Sequence, residues 1–509
     1  MKPFYIKFLL LVFIINTSCE DLELQPENST TPETFYTTVA NLEAGLYGIY
    51  DALQQSGICE IPKFEGMSDN CISERNFLPD ITAYAAGEKI VATGTVEDMY
   101  LDNYVLIQRA NLLLDNIDDI SGIIDSEREV IRAESKALRA LSYMRLVYLY
   151  GGVPLLETFT DRSETLQVNR ADRSTIITFV LDEFESAAAV LGNFPVADGR
   201  MTKQAVLGFR AKVLLYEARL GNISWLEALT AINRAVTEAN NGGHILVDTN
   251  NPTSDYKSLF MESNEGNKEY IFSVRNSSSD PAFSYLADYS WSSGHQDMYI
   301  HQNLADAYGY ADGSDYNPAD DTYINRDPRL SANIMHEGLV FNGLTYDGTD
   351  NGGFVGGNSL GTVTNLFFHK FITTDYSSDF NEGELDIPLL RYADLLLMQA
   401  EALNETAGDG YTPLNLVRDR AGLPPLSGLS QDEFRDKVIL ERRLELALEG
   451  QRWFDLITLG IADEVINGIQ EESVDIVRAF TPGRSELFPI PQTEISLNPN
   501  LTQNPGYID

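Results

Sequence analysis

Basic side chains are scarce in this chain: 36 lysines and arginines face 76 aspartates and glutamates in 509 residues, a formal net charge of -40. So acidic a chain lacks the basic face that releases counterions from phosphate backbones, which excludes a nucleic-acid binder and disfavours polyanionic partners. Cysteine is nearly absent, with Cys19, Cys59 and Cys71 the only three. Without a histidine cluster beside them they make no zinc site. The five histidines show no H-E-x-x-H spacing, and His336-Glu337 lacks the second histidine of that motif. Phosphate loops and dinucleotide fingerprints are missing. No apolar run approaches the roughly 20 residues a membrane-crossing helix needs.

Enzyme motifs are equally thin. Gly357-Asn358-Ser359-Leu360-Gly361 fits G-x-S-x-G, but a nucleophile elbow needs a strand before the serine and a helix after it, and neither flank has that pattern. Carboxylate pairs are expected by chance among 76 acidic residues, so a surface glycosidase stays a remote alternative. The expectation is a protein that is not an enzyme and needs no cofactor, although loops so rich in carboxylates leave room for a structural calcium ion.

What is present begins at the N-terminus. Lys2 and Lys7 precede the apolar run Phe8–Ile15, followed by Asn16-Thr17-Ser18-Cys19, which reads as a lipoprotein signal peptide over 1–18 with Cys19 as the lipidated residue. Asn16 departs from the usual leucine of a lipobox. Glu20-Asp21 resembles the signal that sends Bacteroidetes lipoproteins to the cell surface. Residues 19–35 are polar and turn-rich, a lipidated tether. Cys59 and Cys71 then allow either one disulfide or two buried thiols.

The whole chain is 43% apolar and 10% aromatic, a folded composition, and its body spans 36–509. One large core or two lobes both fit its length. Helical periodicity dominates about 36–242 and 384–460. Ile177, Leu181, Phe184, Ala188 and Leu191 share a face, as do Leu207, Ala211, Leu214 and Ala218. Gly221-Asn222 stops that second helix. A Ser224-x-x-Glu227 capping box restarts another through Leu226, Leu229 and Val236, making a hairpin of tetratricopeptide size. Further helices are predicted at 38–55, 97–117, 128–150 and 388–406, the last with Pro388 in its first turn.

Between about 243 and 383 glycine, asparagine, aspartate and tyrosine replace the stripes, and Tyr270–Asn276 alternates like a short strand. The fold expected is mostly α, a scaffold of tetratricopeptide-like helical hairpins with a large loop-rich, aromatic-rich insertion carrying a few short strands. An extended segment, 461–509, closes the chain. Long irregular insertions are usually functional. Sugars present a C–H face and a hydroxyl rim, which aromatic rings beside polar side chains match. Candidate ligand residues are therefore Tyr285, Tyr289, Trp291 and Tyr299, joined by Asp69, Asn70, Arg75, Phe77 and Tyr84 from an earlier loop of the same texture.

In order along the chain run PETFY (32–36), ESKALRALSYMRLVYLYGGVPL (134–155), GRMTKQAVLGFRAKVLLYEARLGN (199–222) and NRDPRL (325–330). IPLLRYADLLLMQAEALNE (387–405), LNLVRDRAGL (414–423), ERRLELALEGQRWFDL (441–456) and FPIPQTEISLNPNLTQNPGY (488–507) follow. With this series the chain resembles the SusD/RagB family of outer-membrane nutrient-binding lipoproteins nearly end to end. The resemblance implies a lipid-anchored surface protein that binds a glycan without chemistry and hands it to a SusC-like TonB-dependent transporter. A surface helical-repeat lipoprotein that binds peptides or proteins is the alternative. The acidic segment 280–321 points to a neutral glycan such as an alpha- or beta-glucan.

In the stretch 441–456 Leu440, Leu444, Ala447 and Leu448 make a stripe, and Glu441, Glu445 and Glu449 recur every four residues, with Arg442 and Arg452 three positions from a glutamate. Three carboxylates in a row need arginines in answer. Glu441, Arg442, Glu445, Glu449, Arg452 and Asp455 are thus expected to form a structural ion-pair network rather than an active site.

Overall fold

A computed structural model describes residues 35–507 except 60, 74–77, 161, 166, 193–198, 277–297, 342–343, 347–363, 373–384 and 472–475. The signal segment, Cys19 and the tether up to residue 34 lie outside the described residues. No described helix is long and apolar enough to cross a membrane.

Ten described helices have eight or more residues: α1 Val39–Ala52, α2 Thr95–Asn116, α3 Asp125–Tyr150, α4 Arg173–Ala188, α5 Lys203–Arg219, α6 Trp225–Asn241, α7 Tyr392–Glu405, α8 Tyr411–Arg420, α9 Gln431–Glu445 and α10 Arg452–Leu459. From α1 to α7 each packs on its sequence neighbour, and α8 and α9 both pack on α7. Neighbour-on-neighbour packing is the logic of a helical-repeat array. It continues across the insertion: although residues 242–391 intervene, α7 lies on α6, where Tyr392 Oη donates to Asn240 Oδ1 at 2.6 Å and Gln399 Nε2 to Asn233 Oδ1 at 2.7 Å.

Local chemistry explains the elements. Thr202 and Ser224 cap α5 and α6 by accepting from Ala205 N and Glu227 N. Of the expected box at Ser224 only this forward half is described; the full reciprocal box is Ser430 with Glu433 on α9. α5 is buried from Gln204 to Ala218 except at Arg210, so its predicted stripe is one side of a helix covered nearly all round. Gly208 is needed there, because a Cβ would stand 2.4 Å from Leu390 Cδ2. On α6 the expected stripe is displaced: Leu226 is 66% exposed, and Ala228, Ala231, Ile232, Ala235, Val236 and Ala239 are the buried face.

The strands form only two-stranded ladders among the described residues. β1 Cys71–Ser73 pairs with β3 Met298–Ile300, β2 Tyr270–Val274 with β6 Ile387–Arg391, and β4 Ile334–Met335 with β5 Phe367–Phe368, all antiparallel. The β2–β6 ladder is the neck of the insertion, and every residue of both strands is buried. Pro388 therefore belongs to a strand and not to a helix start; α7 begins only at Tyr392.

A second correction concerns 441–456. The helix ends at Glu445, Leu448 takes a left-handed φ of 66° and Gly450 one of 70°, and α10 restarts at Arg452. This is a helical corner. Leu448 is fully buried, and packing holds it in a backbone region that favours glycine. Cys71 is a buried, unbonded thiol, so the disulfide alternative does not hold.

One continuous apolar core runs from Leu42 to Leu501 through all ten helices. A separate small core, Tyr299, Met335, Tyr346, Phe367 and Ile372, lies within the insertion.

Candidate ligand-binding site

Five of the signature motifs converge on one buried place. Glu445, wholly inaccessible, accepts from Arg391 Nη1 at 3.0 Å, from Arg329 Nη1 at 3.1 Å and from Arg420 Nη2. Glu269 accepts from Arg391 at 2.5 Å and Arg420 at 2.8 Å. Glu449 takes Arg391 Nε and Nη2 at 2.8 and 2.7 Å and Lys370 Nζ at 2.6 Å. Glu441 pairs with Arg329 at 2.6 Å and Arg418 at 2.9 Å. Arg442 bridges Asp394 and Asp455 at 2.8 and 3.3 Å, and Arg219 holds Asp455 and Glu401, both at 2.6 Å.

NRDPRL thus supplies Arg329, IPLLRYADLLLMQAEALNE supplies Arg391, Asp394 and Glu401, LNLVRDRAGL supplies Arg418 and Arg420, and the α5 motif supplies Arg219. Arg442 answers Asp455 within the expected network and Asp394 outside it, and Arg452 answers the distant Asp69, rather than the glutamates three positions off. Desolvation alone would raise the Glu445 carboxyl, but Arg420, Arg391 and Arg329 outweigh it and hold it near 2. Burial pulls the Lys370 ammonium down to about 8 despite Glu449. Buried pairs of this kind contribute little net stability over apolar packing, yet breaking one costs about 3–5 kcal/mol.

The two loops singled out for ligand binding meet in the β1–β3 ladder. Cys71 stands opposite Ile300, Ile72 opposite Tyr299 and Ser73 opposite Met298. The segment carrying Arg75 and Phe77 leaves the ladder at Ser73. The segment carrying Tyr285, Tyr289 and Trp291 enters it at Met298, at the same end. These five residues themselves lie outside the described residues.

The other four candidates face inward. Asp69 accepts from Arg452 Nε at 2.7 Å and Nη2 at 3.0 Å and from Arg443 Nη2 at 3.0 Å. Burial would raise its carboxyl, but Arg443 and Arg452 hold it down at about 2. Asn70 donates to Glu65 Oε2 and accepts from Arg443 Nε, both at 2.8 Å. Tyr84 is packed on Trp453 and Phe488 and donates to Ser485 O at 2.6 Å. Tyr299 is 5% exposed and meets Phe367 edge-on. Their polar atoms or faces are committed to protein partners, so a direct ligand contact does not fit where they stand.

A described aromatic surface of the insertion lies a little further on, at residues outside the candidate set. Tyr310 and Tyr316, both half-buried, meet edge-on at 5.8 Å, and the Arg326 guanidinium sits 3.3 Å from the Tyr316 ring centroid. Arg326 pins this corner by donating to the carbonyls of Ala305, Tyr308 and Thr322. Asp312, Asp315, Asp320 and Asp321 surround it, all exposed, and Tyr310 Oη donates to Asp320. Fixed rings with an acceptor-rich rim can stack on a sugar face and accept from its hydroxyls. Among the described residues no group of three or more His, Cys, Asp or Glu is placed to hold a metal ion.

Residues 257–507 match the family model described as the SusD family, and residues 21–215 match one described as starch-binding associating with outer membrane. The chain belongs to the SusD family. This SusD-like chain is 27% identical to a SusD-like protein of Formosa agariphila, with 98% of this chain and 99% of that protein covered. It is 23% identical to the starch-binding protein SusD of Bacteroides thetaiotaomicron, each covered in full. In fold it is similar to a SusD-like protein of Bacteroides fragilis, at 25% identity and a TM-score of 0.79 over 93% of this chain and 98% of that one. A surface glycan-binding protein of Bacteroides thetaiotaomicron solved with laminarihexaose superposes with a TM-score of 0.68 at 20% identity, over 92% and 100% of the two chains.

Proposed function

We propose that this SusD-like protein is a non-catalytic, lipid-anchored glycan-binding protein of the outer-membrane surface that passes its ligand to a SusC-like transporter. The observation that supports the reading is the β1–β3 ladder, in which Ser73 stands opposite Met298, the points where the chain continues into the two candidate loops. Family membership supports it, since the matching descriptions speak of starch binding and the outer membrane. The carboxylates around Tyr310 and Tyr316 repel uronates and sulfates but not hydroxyls, which favours a neutral alpha- or beta-glucan.

Affinity electrophoresis in gels loaded with alpha-glucans, beta-glucans and a polyuronate tests this. Retardation by a neutral glucan, weakened in Trp291→Ala, Tyr289→Ala or Tyr310→Ala, is the expected result. Stronger retardation by the polyuronate would overturn the neutral-glycan assignment. Retardation by none would favour the peptide-binding alternative, and turnover of a retained glycan would make the protein an enzyme. Mild membrane extraction should bring the lipoprotein out with a β-barrel partner.

A further inference from the structure

Two adjacent arginines of α9 point to different jobs. Arg442 turns into the helical frame, to Asp394 and Asp455. Arg443 turns towards the β1–β3 ladder. Its Nε donates to Asn70 Oδ1 at 2.8 Å, just before β1, and its Nη2 to Asn303 Oδ1 at 2.9 Å, just after β3. Between them His301 N donates to Asn70 O at 2.8 Å, closing the ladder beyond the Cys71–Ile300 pair. From another direction Arg478 donates to the carbonyls of Gly66, Ser68 and Cys71, and Glu65 accepts from Gly450 N at 2.8 Å.

We infer that Arg443 is a positioning residue for the ligand face: it staples the closed end of the ladder whose open end carries the two ligand loops. This rests on the glycan-binding reading above. A three-residue ladder has few backbone bonds of its own, and a one-residue slip would turn each side chain to the opposite face. The planar guanidinium reaches both strands at once, which a lysine ammonium cannot reproduce in the same plane. The Arg443 guanidinium is engaged by protein partners. It acts through Asp69, whose carboxylate it meets at 3.0 Å, and through Asn70 and Asn303.

The test compares Arg443→Gln, Arg443→Lys and Asn303→Ala with wild type and with Arg219→Lys, a change in the frame away from the ladder. Retardation by the glucan that retains wild type is read beside hydrogen exchange at the His301 amide. Arg443→Gln is expected to weaken binding about ten-fold and to speed that exchange, and Asn303→Ala, at an exposed position, to do both more mildly. Arg443→Lys should recover only part of the loss. Arg219→Lys should lower the melting temperature with binding unchanged. Wild-type binding in both Arg443→Gln and Asn303→Ala, or unchanged His301 exchange, would overturn the inference. If no glucan retains wild type, the glycan reading fails, and the exchange measurement alone decides the role of Arg443.

Discussion

Replacing Glu445 by glutamine keeps the volume of the side chain and removes its charge. In the native corner one carboxylate oxygen serves Arg391 and Arg420 while the other serves Arg329. A glutamine oxygen can still accept on one side, but its NH2 must then face a guanidinium, donor against donor, with no water to intervene. Breaking a buried pair costs about 3–5 kcal/mol. A chain of 509 residues falls at or below the roughly 2 °C per kcal/mol of large domains, so melting should drop by about 4–10 °C. Glu433→Gln serves as the contrast: its carboxylate is an exposed cap partner of Ser430, and about 1 kcal/mol or less is at stake. Differential scanning calorimetry at one scan rate reads both. Glu445→Gln melting within about 1 °C of wild type would refute the network as the keeper of this corner.

Gly208→Ala should overpack the contact of α5 with Leu390, where the new methyl would stand 2.4 Å from Cδ2; a loss of about 1–3 kcal/mol in thermal or urea denaturation checks it. Tyr84→Phe should cost about 1–2 kcal/mol by orphaning the buried Ser485 carbonyl, while glycan retardation stays at wild type; weakened retardation would return Tyr84 to the ligand face. Burial drives the Glu65 carboxyl from 4.5 up to about 7, so its contribution to stability is complete below pH 4.5 and is lost as pH rises through 7. Glu65→Gln should therefore gain on wild type by about 3 kcal/mol between pH 4 and pH 8, whatever its constant offset. Asp69 has the opposite sign: held near 2 against an ordinary 3.8, it contributes above pH 4 and loses that contribution as pH falls through 2, a slope that Asp69→Asn should remove from acid titrations followed by circular dichroism.

Periodicity and punctuation made the frame legible. The hairpin of α5 and α6 shows because Gly221-Asn222 and Ser224 sit between two long helices, so boundaries and burial follow from local rules. Leu226 was misplaced because a first-turn residue can satisfy a stripe on paper while its side chain points outward. Pro388 fits a helix start as well as a strand, and only the distant partner β2 decides. The corner at 446–451 was hidden by the continued four-residue spacing of glutamates, for which Glu449 is brought back by the turn rather than by a helix; Gly450 alone signalled the break. At the site, Asp69 and Asn70 have the composition of a ligand loop. Which arginines answer them depends on pairings nearly 400 residues apart, which no local pattern encodes.

That separation also explains why the recognisable motifs say so little about the ligand. The neck strand β6 carries Arg391 directly into α7, so the insertion is clamped at the ion-pair network before the chain re-enters the array. On the other side the segment 65–71 is clamped by Arg443, Arg452 and Arg478 before it becomes β1. The described segments 65–71 and 387–391 are thus both anchored to charges buried in the frame. A substitution at Glu445 should therefore act on stability, one at Trp291 on affinity, and Arg443 is the position where the two effects meet.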